Sequence, residues 1–382
     1  MQHWGLYRVL LRFLPSRGKV TGSDLPPDTV RAAEAALRRH RCVGAVLCLF
    51  DETGVTGQLS FGLSHLPDTP VTPDTVFRAA SISKFVTALG AMKLKEQGRL
   101  DLDRDVQDYM PVPLRHPKAP DTPITLKMLL THTAGIHDGV DYNAGIAKGV
   151  PLSLLLRGDS YTGHLPGTKW EYSNFGAGIA GAAMESALGT DFEKLMQETV
   201  FRPLNVAASF YPQKTAGDLA DGVRILPKSK TPNYNAAERR ARPLPPEEVN
   251  PEKHYNLAHG ALCVTARDLA KLGAAGMTPG FLTKDSLEEM RRCAAPFGER
   301  AHNLSQGFGT FILRDRDFRA PVLYGHQGMA YGAVHGLFFD PETGRGYALL
   351  TTGASEARRG VLADLNHDMI CALLGSADTK ER

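Results

Sequence analysis

Apolar residues crowd nearly every side of a helical period across residues 81–97: Ile82, Phe85, Val86, Leu89, Met92 and Leu94, with Gly98 beyond them. A helix that is apolar all round belongs in the interior, so this segment is predicted to be central and buried, ended by the glycine. Residues 26–40 follow a different pattern, with Val30, Ala33, Ala36 and Leu37 on one face, Asp28 near the start and Arg38–Arg39 at the end. That charge placement suits a surface helix. Residues 43–50 and 56–63 are strand-like and are separated by Asp51-Glu52-Thr53-Gly54, a hairpin turn signal. Residues 308–314, 322–326, 331–339 and 347–352 are further strand candidates, broken by 315–317, Gly328 and 340–346. A last helix is predicted over 358–373.

Between these ends the pattern is helices and loops. No convincing strand falls in 100–212, residues 214–256 read as a long polar, proline-rich surface excursion (Pro243, Pro245, Pro246), and helix returns over 265–273. Strands at both ends around a helical middle imply an α+β fold, an α/β sandwich whose one antiparallel sheet is built from N- and C-terminal segments and flanked by helices. The expected organisation is an extension over 1–25, a main domain over 26–374 and a tail over 375–382. Within the domain, 26–98 and 257–374 form the sheet part and 99–256 an inserted all-helical part.

Composition narrows the function by exclusion. Charged residues make up 22% of the chain and the net charge is only +3, which argues for neither nucleic acid nor an anionic membrane as partner. Five cysteines without a C-x-x-C pair indicate no zinc knuckle, redox pair or disulfide framework. Arg8 and Arg12 interrupt the apolar residues of 1–14, so that segment is neither a clean secretory signal nor long enough to span a bilayer. The expectation is a short amphipathic helix docked on the fold in preference to a membrane face, and a cytoplasmic protein.

Candidate chemistry begins at Ser81-Ile82-Ser83-Lys84. A serine hydroxyl needs a base to become a nucleophile, and on a helix a residue three positions on stands on the same face. Lys84 is therefore placed beside Ser81, at a helix N-terminus whose free N–H groups favour an oxyanion. Several other patterns lack their context. Gly176-Ala177-Gly178-Ile179-Ala180-Gly181 satisfies G-x-G-x-x-G without a strand before it, so close helix packing explains it better. Asp101, Asp103 and Asp105 open like a calcium loop, but Val106 and Val112 stand where glycine and glutamate are required. His132, His137 and Asp138 fit no familiar metal spacing and suit a structural loop near the cleft. No G-x-S-x-G is present, which argues against an α/β-hydrolase.

S-x-x-K at 81–84, Y-x-N at Tyr172-Ser173-Asn174 and H-x-G at His326-Gln327-Gly328 follow one another in this order. The set resembles the serine β-lactamase and penicillin-binding-protein superfamily, closest to its branch of class C β-lactamases, D,D-peptidases and related esterases. Leu129-Leu130-Thr131-His132-Thr133-Ala134-Gly135 and the segment Gly260 to Ala270 are similar to two further family signatures, and the likeness runs from Val43 to about Leu374. The resemblance implies acyl transfer through an acyl-enzyme without metal or organic cofactor. Ser81 is the nucleophile, Lys84 and Tyr172 the proton-transfer pair with the acylation base open between them, and Asn174 positions the substrate or Lys84. His326, expected on an edge strand, and Gly328 belong to the substrate-binding strand, and the N–H groups of Ser81 and Met329 form the oxyanion hole. His326 stands where class C β-lactamases carry the lysine of K-T-G, which favours esters or D-amino-acid peptides over β-lactams. A true class C-like β-lactamase and a non-catalytic binding or scaffold member are the alternatives. The expected ligand is a small molecule or short peptide.

Overall fold

Gly44–Asp51 sends alternate side chains into two separate cores: Val46, Cys48 and Phe50 pack on one side, Ala45 and Leu47 on the other. A strand with both faces covered reads as a continuous apolar run, which is how this one appears in the sequence. The computed structural model describes residues 4–14, 18–110, 112–156, 158–225, 232–296 and 304–375. Its main sheet runs in the order Val20–Ser23, Gly54–His65, Gly44–Asp51, Arg345–Thr352, Ala333–Asp340, Leu323–Ala330, Phe311–Leu313, Leu304–Gln306 and Ala295–Pro296. Every neighbouring pair is antiparallel, and Arg345–Thr352 pairs with Gly44–Asp51 from Arg345↔Asp51 to Thr352↔Gly44. The two ends of the chain thus make one sheet, as the α+β reading requires.

Helices Pro27–Arg39 and Asp364–Leu373 cover one face, contributing Ala33, Leu37, Leu365 and Ile370 to its core. Ile82–Glu96 and Ala266–Met277 cover the other, where Phe85, Leu89 and Leu269 join Val46 and Phe50. Beyond them lies a helical region that includes Leu126–Leu130, Val140–Gly145 and Asn174–Leu188. Gly178 and Gly181 sit inside Asn174–Leu188, where a Cβ would lie 2.3 Å from the Tyr255 carbonyl oxygen and 2.4 Å from the Ala258 Cβ. The glycine pattern therefore serves close packing.

Four expectations need correction. Gly328 does not break a strand: Leu323–Ala330 runs through it, and the turn falls at Tyr331–Gly332, both at positive φ. His326 is not on a simple edge strand, since Leu323–Gly325 pairs on both sides and only from His326 onward is the outer side unpaired. The last helix begins at Asp364, because Arg358–Arg359 and Leu362–Ala363 first form a small hairpin. Residues 214–256 are not wholly a surface excursion, since Leu219, Ala220 and Tyr234 are buried and Ala220 N donates to Val76 O at 2.9 Å. Residues 226–231 of that stretch lie outside the described residues.

The first helix, Trp4–Leu11, is tied down at Arg8, whose Nε donates to Asp364 Oδ2 at 2.6 Å, and at Leu11, whose carbonyl accepts from Arg41 Nε at 3.0 Å. Leu6, Val9, Leu10 and Phe13 are exposed. Among the described residues, no helix is long and apolar enough to cross a membrane.

Candidate active site

Phe77–Arg78 pairs with Cys263–Val264, and Ala79 N continues that pairing to Leu262 O at 2.7 Å. Ala80 then takes φ +51°, a sharp turn that L-residues rarely adopt, and Ser81 follows as the N-cap of Ile82–Glu96. Ser83 Oγ donates to Ala80 O at 2.7 Å and accepts from Leu262 N at 3.1 Å, so the second serine of the motif locks the turn in place.

Lys84 is buried and its Nζ reaches three oxygens: Asn174 Oδ1 at 2.7 Å, the His259 carbonyl at 2.7 Å and Ser81 Oγ at 3.2 Å. Burial pulls its pKa down to about 7, with the Asp138 carboxylate opposing and the Arg78 guanidinium assisting. Tyr172 OH donates to the same Ser81 Oγ at 2.9 Å. Burial pushes the phenol's pKa above its ordinary value, the Ser81 hydrogen bond opposing and the Asp138 carboxylate assisting, so Tyr172 keeps its proton.

The segment carrying Tyr172 is held by His132. Its carbonyl accepts from Glu171 N at 2.8 Å, its Nδ1 accepts from Ser173 N at 3.2 Å, and its ring lies 4.5 Å from the Tyr172 ring. Ser173 Oγ caps the helix at Gly176 N, 2.8 Å away. Asp138 finishes the arrangement: Oδ2 accepts from Asn174 Nδ2 at 2.7 Å and Oδ1 from Phe175 N at 2.8 Å.

On the opposite wall, a Cβ at Gly328 would sit 2.2 Å from the Ala79 carbonyl oxygen, so glycine lets Leu323–Ala330 run directly against the approach to Ser81. Met329 faces Val334, and Val334 N donates instead to Thr351 Oγ1 at 2.9 Å. Antiparallel pairs alternate between bonded and non-bonded, so Met329 belongs to a non-bonded pair with its N–H turned away from Val334. His326 is buried, stacked 4.2 Å from the Phe311 ring, with Nδ1 2.6 Å from the Gln327 carbonyl. A carbonyl only accepts, so Nδ1 carries the proton and Nε2 is left as a buried acceptor with no partner among the described residues. Burial and the nearby Lys84 charge bring the His326 pKa down to about 3, against the Gln327 hydrogen bond. The charge that the sequence reading made conditional on pH is therefore absent near neutrality.

All seven sequence-selected residues come together around this cleft of about 410 Å³, where Ser81, Tyr172, Asn174, His326 and Met329 line the wall with Arg78, Trp170, His259, Gly260, Phe311 and Tyr331. Lys84 lies behind Ser81, and Gly328 is the residue of the wall strand packed against the Ala79 carbonyl. Sequence reasoning did not select Arg78, Asp138 or His259 for the site. Arg78 was visible three residues before Ser81, whereas the other two depend on the chain path. Two groups outside the cleft lining have ligand-like spacing: Glu185, Asp191 and His254, and Asp315, Asp317 and His367. In the first, Glu185 Oε1 already accepts from His254 Nδ1 at 2.9 Å and Asn250 N at 2.6 Å, a buried ion pair that secures Asn174–Leu188.

A family model described as Beta-lactamase matches residues 30–368. Esterase EstB of Burkholderia gladioli is 28% identical over 372 residues, covering 89% of this chain and 93% of the esterase. The structure of EstCE1, a hydrolase with promiscuous acyltransferase activity, is similar with a TM-score of 0.72 and 23% identity, over 91% of this chain and 99% of that one. D-amino acid amidase from Ochrobactrum anthropi SV3 superposes with a TM-score of 0.68 and 22% identity, covering 91% and 97%.

Proposed function

Since the chain belongs to the beta-lactamase family, whose esterase relatives mark it as a serine hydrolase, we propose that it cleaves short esters and D-amino-acid amides through an acyl-enzyme on Ser81. The observation that carries this reading is the convergence of Lys84 Nζ and Tyr172 OH on one Ser81 Oγ, at 3.2 and 2.9 Å. A neutral amine has two N–H bonds and one lone pair. The two short contacts, to Asn174 and His259, take the N–H groups, which leaves the lone pair facing the Ser81 hydroxyl.

Lys84 takes the Ser81 proton as Oγ bonds to the substrate carbonyl carbon. The N–H groups of Ser81 and Met329 hold the resulting oxyanion. As the tetrahedral adduct collapses, the bond to the leaving oxygen or nitrogen breaks and that atom takes the Tyr172 proton. The Lys84 ammonium returns a proton to the phenol. Water repeats the sequence on the acyl-enzyme, releasing the acid and regenerating Ser81.

His326 argues against the β-lactamase alternative. A neutral ring with an accepting Nε2 offers no charge to a β-lactam carboxylate, and a charge-assisted bond is about twice as strong as a neutral one. The test compares kcat/KM for 4-nitrophenyl butyrate, D-phenylalanine amide and nitrocefin. Turnover of the ester or amide well above nitrocefin is expected, with slow acylation by the β-lactam that follows the Lys84 ionisation and shows no separate His326 limb between pH 5 and 8. Nitrocefin hydrolysis faster than both would overturn the reading.

A further inference from the structure

The cleft beside Ser81 contains a cation with no anionic partner among the described residues. Arg78 is half-buried, and no described residue forms a hydrogen bond or ion pair with its guanidinium. No Asp or Glu is found among the described residues lining the cleft. The guanidinium is nevertheless held in place. Its carbon lies 5.3 Å from the Tyr331 ring centroid, and Nη2 lies 3.2 Å from where a Cβ of Gly260 would be, so it is bracketed by two cleft residues. Its backbone is fixed as well, with Arg78 paired to Cys263 and its carbonyl accepting from His335 Nε2 at 2.9 Å.

Tyr331 provides a second, independent observation. It occupies the first position of a two-residue turn at φ +55°, followed by Gly332 at +84°. Such turns favour asparagine or glycine, and a bulky aromatic there is a strained choice. The ring is also braced by Tyr234, at 5.7 Å. The strain has a use if the ring must lie against Arg78: stacking on a guanidinium face leaves the planar N–H fork free at its edge. A fork of that shape matches a carboxylate.

We propose that Arg78, stacked on Tyr331, is an anion subsite that selects substrates carrying a carboxylate near the scissile carbonyl. The proposal rests on the acyl-enzyme reading and adds a substrate class to it. Arg358 is a second cation on the cleft lining, but it is exposed, whereas Arg78 is half-buried beside Ser81. Two further polar groups of the cleft do not compete for the anion. His326 presents an acceptor, and Lys84 is committed to Ser81, Asn174 and His259.

Paired esters test it. On the acyl side, mono-4-nitrophenyl adipate is compared with 4-nitrophenyl hexanoate; on the leaving-group side, 4-acetoxybenzoate is compared with 4-acetoxybenzamide. In one arm the wild type is expected to favour the carboxylate at least about tenfold in kcat/KM, mainly through KM, as suits a hydrogen bond to a charged group. The arm that responds identifies the side of the scissile bond that Arg78 reads. Arg78→Met should bring that ratio to about one whatever its overall activity, and Arg78→Lys, which keeps charge without the fork, should give an intermediate ratio. A wild-type ratio at or below one in both arms overturns the proposal without any variant, as does a high ratio that persists in Arg78→Met. Turnover of neither member of either pair would count against the acyl-enzyme reading itself, and the subsite would fall with it.

Discussion

Asp138 Oδ2 accepts from Asn174 Nδ2 at 2.7 Å, and this bond decides which end of the Asn174 amide faces Lys84. With its NH₂ held by the carboxylate, Asn174 presents Oδ1 to Lys84 Nζ at 2.7 Å. Asp138 thus positions Lys84, the proposed base, through a second residue, while its charge raises the Lys84 pKa. Asp138→Asn is expected to lower kcat roughly 10- to 100-fold, the range for a buried hydrogen bond to a charged group, with little change in KM. Loss of the carboxylate should also move the acid limb of the pH–rate profile to lower pH. An unchanged kcat with an unmoved limb would show that Asp138 only supports the fold.

The wild-type pH profile follows from Lys84 itself. Burial lowers its pKa to about 7, and only the neutral amine can accept the Ser81 proton. On 4-nitrophenyl butyrate, kcat/KM should rise about tenfold per pH unit below that value and level off above it. Tyr172, raised by burial, and His326, at about 3, should add no limb between pH 5 and 9. Activity falling as pH rises through 7 would mean that the protonated lysine is the active form.

In the proposed mechanism Lys84→Ala and Tyr172→Phe act on one proton path, so their effects should not add. Each is expected to reduce kcat by roughly 10³ or more, and the double variant to lie within about tenfold of the worse single. Thermal unfolding of the Tyr172→Phe protein should stay close to wild type, since only one hydroxyl is lost. A double variant whose loss is the product of the two singles would separate the residues into independent roles.

The motif order S-x-x-K, Y-x-N, H-x-G was legible because local spacing governs it: a helix puts Lys84 beside Ser81 wherever that helix lies. The two-ended sheet was legible too, because strand runs such as 43–50 and 347–352 are continuous and apolar. Tertiary context was not. Gly328 reads as a strand breaker until the Ala79 carbonyl oxygen is found 2.2 Å from its absent Cβ. His326 reads as a pH-dependent charge until burial, the Phe311 ring and the Gln327 carbonyl fix it as a neutral acceptor. Asp138 was judged by metal-ligand spacing, a test blind to a carboxylate whose partners lie 36 and 37 positions along the chain. The proline-rich 214–256 stretch concealed its buried Leu219, Ala220 and Tyr234 behind polar neighbours.

The central claim is that Ser81 carries the acyl group. It is tested most directly by treating the wild-type protein with a fluorophosphonate, digesting it and locating the modified residue by mass spectrometry, with Ser81→Ala treated in parallel. The account predicts a single adduct on Ser81, formed faster as pH rises through 7, no adduct on the variant and no esterase activity left in it. An adduct on another serine, or Ser81→Ala retaining near-wild-type turnover of 4-nitrophenyl butyrate, would contradict it.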